Sequence, residues 1–301
     1  MKASFYLFIL WLCIPLTSYS QGCSDAGFCT INSLRPNTLI IANERANSVR
    51  IGAFVGSADN NIKVWGSYLD YALNLSPSLG IDVRLTQIAQ SGNSVSSNGI
   101  SDIFANLKFK LLEDLQMSAG VKIPLSDGDR RQNGLPLPMD YQSSLGTFDI
   151  ILGLSYQIGG LGLSLGYQQP LSQNNNTFNP RLYPENSPLR SFQNTNNFQR
   201  AGDIMLRIYY PVDVNDRFTI TPGILQIHHL FNDKFTDENG SLMEIEGSKG
   251  LTLNANLHLD YTLSSTAVLQ FNIGLPLKVR EVRPDGLTRG FIATLEYRFI
   301  F

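Results

Sequence analysis

Charged side chains are scarce in this sequence of 301 residues, and long apolar runs are absent beyond its N-terminus. Asp, Glu, Lys and Arg make up 16% of the chain, whereas a soluble domain usually carries about 25%. No stretch after the first twenty residues reaches the roughly 18 apolar residues of a transmembrane helix. A chain that is poor in charge and also lacks apolar helices indicates β-strands that are apolar on one face only. The net charge of −2 gives no reason to expect nucleic acid as a partner.

Cysteine and histidine are also rare, with three residues of each type. Cys13 lies in segment 1–20, which has a basic start at Lys2, an apolar stretch and small residues at its end, and is therefore predicted to be a secretory signal peptide. Cys23 and Cys29 are predicted to form a short disulfide in an oxidising compartment. Cleavage before Cys23, as in a lipoprotein, is the alternative.

Motifs for catalysis, metal binding and cofactors are missing. The chain has no phosphate-binding glycine loop, no nucleophile elbow and no zinc-ligand spacing, so no cofactor is predicted and an enzyme is not expected. His258 and Asp260 share one strand face and leave an acid–base pair open, although a lumen hydrogen bond is the commoner outcome. Residues 127–129 leave a Ca²⁺ site open but lack the remaining ligands of an EF-hand. His228 and His229 point to opposite faces of a predicted strand, which argues against a shared metal ion.

The main feature of the sequence is an alternation of polar and apolar residues that begins near position 48. In residues 251–262, for example, the apolar side chains occupy every second position, which places them on one face of a strand. Phe104 and Ile151 are exceptions, because they fall on the predicted polar face. Twelve strands are predicted: 48–56, 62–75, 79–89, 101–111, 114–123, 147–158, 160–170, 201–211, 216–230, 250–262, 265–276 and 288–301.

The connections between these strands alternate in length. From the second connection onward every other one is very short, whereas most of the rest, including 90–100, 124–146 and 171–200, are long and polar. Outer-membrane barrels have an even number of strands, short periplasmic turns and longer outer loops, and a soluble sandwich does not sort its loops in this way. The sequence therefore predicts an all-β fold: a single transmembrane antiparallel up-and-down β-barrel of about 12 strands over residues 48–301. The predicted location is the outer membrane, with both termini in the periplasm.

The last strand carries aromatic residues at alternating positions and ends in a terminal Phe. In this respect the chain resembles the outer-membrane barrel proteins of Gram-negative bacteria as a class. The resemblance implies that Tyr297, Phe299 and Phe301 are the signal that the barrel-assembly machinery reads. It also implies contact with outer-membrane lipid and lipopolysaccharide.

The inward faces of the predicted strands carry charges of both signs together with neutral polar groups. They are expected to line a hydrated passage for a small-molecule solute; the alternative is that they pair across the lumen and fill it. The predicted pore-lining residues are Arg50, Asp70, Asp82, Arg84, Asp102, Lys108, Lys122, Asp149, Asp203, Arg207, Asn254, Asn256, His258, Asp260, Glu296 and Arg298.

Residues 21–47 precede the first strand, either in the periplasm or as a plug, and are long and apolar enough to fold into the barrel. In overall plan the chain resembles the fatty-acid transporter (FadL-like) group and the family labelled for the meta-pathway of phenol degradation. The resemblance implies a passive channel or transporter for small molecules, including apolar or aromatic ones. The alternatives are a structural or interaction barrel whose outer loops, such as 171–200, bind a partner, and a barrel enzyme. The sequence does not indicate an oligomeric state.

Overall fold

The computed structural model describes residues 31–36, 47–286 and 289–301. The predicted signal peptide and the predicted Cys23–Cys29 disulfide lie outside the described residues. Within those three ranges, no helix has the length and apolar character needed to cross a membrane. The helical segments are short 3₁₀ turns: Asn32–Leu34, Met139–Tyr141, Pro180–Leu182 and Pro188–Ser191.

Antiparallel strands form the wall of a closed barrel. In chain order they are β1 (Ser48–Ala58), β2 (Lys63–Ser76), β3 (Leu79–Gly92), β4 (Val95–Lys110), β5 (Leu115–Ile123), β6 (Asp149–Ile158), β7 (Leu161–Pro170), β8 (Asp203–Tyr209), β9 (Phe218–His229), β10 (Gly250–Ser264), β11 (Ala267–Lys278) and β12 (Arg289–Ile300). A further short strand, Val212–Asn215, follows β8 and pairs with β9. Consecutive wall strands pair, and β12 pairs with β1, which leaves the sheet without a free edge. The predicted antiparallel barrel of about twelve strands is confirmed.

Each wall strand alternates between buried and exposed side chains. In β2, Tyr68 and Asp70 are buried, whereas Leu69 between them and Trp65 are exposed. Because the strand period is two, every second residue points into the barrel. The outward face therefore carries a band of exposed aliphatic side chains: Ile51, Leu69, Leu85, Leu107, Leu152, Leu154, Leu165, Ile204, Ile208, Ile224, Leu275 and Leu295.

The two ends of the barrel differ. At one end, named the turn end, the connections are short, β1 begins and β12 ends. Exposed aromatic side chains gather near this end: Tyr71, Tyr156, Tyr210, Tyr261, Tyr297, Phe299 and Phe301. At the opposite end, named the loop end, the long loops 124–148, 171–202, 230–249 and 279–288 connect the strands. Two further hairpins lie in these loops, pairing Arg131–Gln132 with Leu135–Pro136 and Lys234–Thr236 with Leu242–Glu244.

Residues 90–100, predicted as a loop, form a strand hairpin instead. Strands β3 and β4 continue to a two-residue turn in which Asn93 and Ser94 have φ angles of 51° and 63°, the left-handed backbone of a tight hairpin turn. Residues 90–100 are largely polar, and their pattern is not that of a strand that faces lipid. The hairpin is held by a loop that the sequence pattern does not position: the Ser97 hydroxyl donates to the Tyr141 carbonyl at 2.7 Å.

The long loops cover the mouth of the barrel at the loop end. The part of these loops that the structure describes (124–148, 171–202, 230–249 and 279–286) is named the cap. One apolar cluster joins the cap to the inner faces of β1–β4 and their turns: Phe54, Ile62, Val64, Tyr68, Ile88, Val95, Leu137, Tyr141, Phe178, Leu189 and Phe192. A second cluster joins the loops to one another: Met139, Leu145, Phe198 and Ile245. The loops are therefore packed against the wall and against each other.

Candidate functional site in the barrel lumen

The predicted pore-lining residues lie on the inward face of the wall. Lys108 and Asn256 are half-buried and the other fourteen are buried. Their neighbours in each strand point outward, as the alternation requires. The lumen is thus polar, and its residues fall into groups that differ in how their polar atoms are satisfied.

The wall formed by β2–β6 is built on ion pairs. Lys122 is fully buried, and its ammonium lies 3.0 Å from the Asp149 carboxylate and 3.8 Å from Asp102. It also donates a hydrogen bond to the Thr147 hydroxyl at 2.8 Å. Such pairing is what makes a buried charge tolerable. This set is named the charged wall and consists of Asp70, Asp82, Arg84, Asp102, Lys108, Lys122 and Asp149, with Arg84–Asp70 and Lys108–Asp82 each at 3.8 Å.

The facing strands β9–β11 carry, beside the buried Asp260, a set of inward side chains that are polar and neutral. This set is named the neutral wall and consists of Thr221, Asn254, Asn256, His258 and Asn272. Each member has a buried side-chain oxygen or nitrogen with no hydrogen-bond partner among the described residues. Buried polar groups are rarely left in this way unless water or a ligand reaches them.

Residues 31–36, named the lumen segment, lie inside the barrel. The Arg35 guanidinium donates to the Glu296 carboxylate at 2.8 Å and to the Gln270 amide oxygen at 2.9 Å. The carbonyl of Leu34 accepts a hydrogen bond from Arg207 at 2.5 Å. The segment therefore bridges β8 on one side of the lumen and β11–β12 on another.

The apolar side of the lumen segment explains the two interruptions in the polar pattern. Phe104 and Ile151 are buried in a cluster with Ile31 and Leu34 of the segment and with Met205, Leu225 and Ile227 of β8 and β9. A Cβ atom at Gly153 would lie 2.7 Å from Leu34 Cδ2, so the glycine leaves room for the segment. Sequence reasoning missed Leu225 and Ile227 as inward residues. The usable signal was that apolar residues on the inner faces of four strands, β4, β6, β8 and β9, require a shared apolar partner.

A buried charge cluster, named the latch, ties the cap loops together at the loop end. It consists of Arg200, Asp203, His229, Asp233, Arg280 and Asp285. The His229 ring nitrogens lie 2.7 Å from the Asp203 carboxylate and 2.8 Å from the Asp233 carboxylate. Because ionised carboxylates only accept hydrogen bonds, both contacts require protons on both ring nitrogens. His228 is exposed on the opposite face of β9.

Arginines complete the latch. Arg280 donates to the Asp285 carboxylate at 2.8 Å, and Arg200 lies 3.5 Å from the same carboxylate and also binds Asp203. Burial acts to raise the pKa of Asp285, but the two guanidinium groups outweigh it and hold that pKa below its usual range. Loops 171–202, 230–249 and 279–286 are thus joined through opposite charges.

Asp140 in the cap has the opposite environment. Burial, together with the nearby carboxylates of Asp59 and Asp285, raises its pKa to about 7, although Arg283 pulls it down. Arg283 is itself occupied by a two-point contact with Asp59 at 2.7 and 2.8 Å. Gly286 packs closely above Asp140, because a Cβ there would lie 2.5 Å from the Asp140 nitrogen. A negative charge on Asp140 is therefore disfavoured in this arrangement of the loops.

A cavity of about 90 Å³ lies between the lumen segment and the cap. Arg35 lies on the lumen-segment side and Met139 and Leu145 on the cap side, with residues of β1–β4, β8 and β10–β12 around it. On a scale where one water requires about 10–15 Å³, the cavity has room for several waters or one small solute.

The remaining candidates from the sequence have structural partners. Asp129 accepts hydrogen bonds from the Thr177 backbone and hydroxyl at 2.8 Å, and pairs with Arg131 at 2.8 Å. Asp260 accepts from Gln270 at 2.6 Å. In the ranges that the structure describes, no three His, Cys, Asp or Glu residues are grouped in a way that could hold a metal ion.

The terminal residue closes the wall at the turn end. The backbone of Phe301 exchanges two hydrogen bonds with Asn47, at 2.9 and 3.0 Å. Its ring lies 5.9 Å from Phe299 and 6.5 Å from Tyr71. The role of Tyr297, Phe299 and Phe301 in assembly stays a prediction.

Comparisons with known proteins find similar folds only. No protein-family model matches the sequence, and no curated protein matches it. Among solved structures, the chain is similar to the NanC porin (TM-score 0.47, 11% identity, 84% of this chain and 98% of that chain) and to the CymD monoaromatic hydrocarbon channel (TM-score 0.44, 10% identity, 94% of each). It is also similar to the Ralstonia pickettii toluene transporter TbuX (TM-score 0.37, 12% identity, 85% and 89%). At these values the similarities assign neither a family nor a substrate to this chain.

Proposed function

We propose that the protein is a passive outer-membrane channel for small molecules, with the lumen segment and the cap as its two closures. The exposed aliphatic band around the wall supports a membrane location, because soluble monomers rarely expose contiguous apolar patches of more than a few hundred Å². A closed barrel also satisfies its backbone hydrogen bonds without water, as lipid requires. In this arrangement the turn end faces the periplasm and the cap faces outward.

The channel is proposed on one observation, namely which segments of the chain obstruct the lumen. The lumen is blocked by the lumen segment and the cap, neither of which belongs to the wall. Displacing them leaves the pairing of the twelve strands intact. The wall behind them is polar, with Asn256, His258 and Asn272 facing the cavity, and this is a suitable lining for a hydrated passage.

Planar-bilayer conductance of the refolded full-length mature chain tests the channel. We compare it with a chain in which residues 31–36 are replaced by six Gly and Ser residues, and with the single variant Gly153→Ala, whose added methyl group crowds the Ser118 hydroxyl and Leu34. Both changes are expected to increase the frequency or size of current steps. Leu152→Ala, at the outward-facing neighbour of Gly153, is the matched control, with a current close to that of the wild type.

Folding of each chain is checked by heat-modifiable gel mobility. Silent bilayers for all of these folded chains, also after the latch is broken by Arg280→Gln, would contradict the channel.

A second function, an interaction barrel, is favoured by one observation. The large apolar side chains that the cap exposes to solvent include Leu182, Phe231, Leu242 and Met243, with exposures of 51%, 69%, 51% and 46%. Exposed apolar groups on outer loops suit contact with a partner. This function becomes the favoured one if every folded chain is silent and if replacing these four residues by Ser abolishes binding of the protein to intact cells.

A further inference from the structure

One side of the cavity between the lumen segment and the cap carries buried polar atoms that have no hydrogen-bond partner among the described residues. The Oδ1 atoms of Asn256 and Asn272 and the Nδ1 atom of His258 are buried and have no partner among the residues that the structure describes. All three side chains line the cavity. His258 is only 4% exposed, so bulk water does not cover its ring. A buried amide or imidazole in this state costs free energy unless water or a ligand completes it.

The opposite side of the cavity is apolar. Phe54, Ile88 and Phe104 from β1, β3 and β4 are buried and line it. Tyr68 lies nearby, but the Arg84 guanidinium covers its ring at 3.7 Å from the centroid. A ligand in this cavity therefore meets hydrogen-bonding groups on one side and aromatic or aliphatic surface on the other.

Most of the charges that border the cavity are paired with opposite charges within the protein, whereas Arg207 donates to the Leu34 carbonyl at 2.5 Å. Arg35 pairs with Glu296 at 2.8 Å, and Arg84 lies 3.8 Å from Asp70. Asp102 accepts from Ser144 and lies 3.8 Å from Lys122. Asp285 belongs to the latch. A cationic ligand would have to break one of these pairs, which is costly in a buried site. An anionic ligand would have to draw Arg207 away from the Leu34 carbonyl, which anchors the lumen segment.

Several further neutral groups reach the cavity from other directions. They are Thr86, Ser143 and Thr294, together with Gln142 and Ser144, whose side chains already donate to the Leu137 carbonyl and to Asp102. Hydroxyl and amide groups on several sides match a ligand with several hydroxyl groups better than a ligand with only one. The C–H face of the same ring then packs against the apolar side of the cavity.

We propose that this cavity is a binding site for a neutral six-membered ring with several hydroxyl groups, as in a monosaccharide. This inference rests on the proposed channel, because the solute enters through one closure and leaves through the other. The amide oxygens of Asn256 and Asn272 accept hydrogen bonds from ring hydroxyl groups. The His258 ring contributes a third contact, and Phe54 packs against the apolar face of the ring.

Equilibrium binding of D-glucose to the refolded chain, measured by titration calorimetry, tests the site without relying on conduction. The wild type and the chain with residues 31–36 replaced are titrated in parallel, so that a closed lumen segment does not hide the site. Asn272→Leu is expected to weaken binding about tenfold through the loss of one buried hydrogen bond. Thr221→Val is the matched control: Thr221 is also buried with an unpartnered hydroxyl, but it does not line the cavity, so affinity should stay unchanged.

Two further ligands test whether the site prefers a neutral ring with several hydroxyl groups. D-glucuronate has the same ring with a negative charge, and phenol has a flat ring with a single hydroxyl; both are expected to bind at least tenfold more weakly than glucose. Equal or tighter binding of either would overturn the proposed ligand class, and absence of glucose binding to both chains would overturn the site. Glucose binding by a chain that is silent in the bilayer would keep the site and refute the channel, whereas current without glucose binding would do the reverse.

Discussion

The charged wall and the neutral wall of the lumen differ in how their buried polar groups are satisfied. In the charged wall each cation lies within 4 Å of a carboxylate, and Lys122 contacts two of them. In the neutral wall the amides of Asn254, Asn256 and Asn272 keep atoms that have no hydrogen-bond partner among the described residues. The charged wall balances its charges within the protein, although both carboxylate oxygens of Asp70 and one of Asp82 also lack a hydrogen bond there. The neutral wall has no such charge pairing, and its Asn256, His258 and Asn272 line the cavity, so these three side chains are the part suited to water or a solute.

The largest expected effect comes from removing the central cation of the charged wall. Lys122→Met leaves the Asp102 and Asp149 carboxylates buried without it, and breaking such a pair costs about 3–5 kcal/mol. Urea unfolding of the protein refolded in lipid vesicles measures the loss. Lys108→Met is the control: Lys108 is half-buried and has one carboxylate at 3.8 Å, so its loss should be clearly smaller. Equal costs would remove the distinction between buried and accessible pairs.

The next effect tests whether the two walls face inward at all. Leu295 lies in the middle of β12, points outward and is 51% exposed. If it faces lipid, Leu295→Arg should cost about 2–4 kcal/mol and impair insertion. Leu242→Arg, at an equally exposed site on the cap hairpin, should change stability by less than about 0.5 kcal/mol. A tolerated charge at position 295 would contradict the membrane-facing band.

A smaller effect is expected in the neutral wall. Asn254→Leu replaces a buried amide whose oxygen and nitrogen both lack a described partner by an apolar side chain of similar shape. The free energy of unfolding should stay within about 1 kcal/mol of the wild type, because no intramolecular hydrogen bond is lost. A loss as large as that of Lys122→Met would show that the neutral wall is structural in the same way as the charged wall.

The last effect is a pH dependence of the cap. The closed cap raises the pKa of Asp140 to about 7, whereas a solvated Asp titrates near about 3.9. The closed state therefore binds the extra proton between these values, and closure weakens as the pH rises from about 4 to about 7. The open probability in bilayers should increase over this range, and Asp140→Asn should remove the increase.

Asp285 affects the same open probability in a separate, lower pH range. Its pKa is held below the usual range, so its contribution to closure is lost only as the pH falls below about 4. An open probability that falls between pH 4 and 7 would contradict the placement of Asp140 among carboxylates.

The sequence alone was sufficient for the wall because facing follows from local periodicity. Leu69 between Tyr68 and Asp70 points outward whatever lies across the lumen, and each short turn forces the next strand to run antiparallel. The same logic predicted the inward position of Lys122 and Asn256. It did not reveal that residues 90–100 continue as strands, because their support comes from the loop around Tyr141.

The partners of the inward groups were beyond the reach of the sequence. Nothing local to Phe104 or Ile151 indicates that Leu34, far away along the chain, packs on them. Similarly, Arg35 finds Glu296 at the other end of the chain. Such contacts depend on how a non-wall segment enters the barrel, which periodicity does not encode.

By itself the sequence determined the approximate number of strands, their order and the face of most side chains, since these follow from a period of two and from loop length; Leu225 and Ile227 are exceptions. The tertiary structure decided which buried charges pair, which polar atoms remain open to a solute and what closes the two ends. The physical reason is how far apart along the chain the interacting residues lie. Strand facing is set by neighbours in the chain, whereas the latch, the lumen segment and the cavity are set by residues that meet only after the barrel has closed.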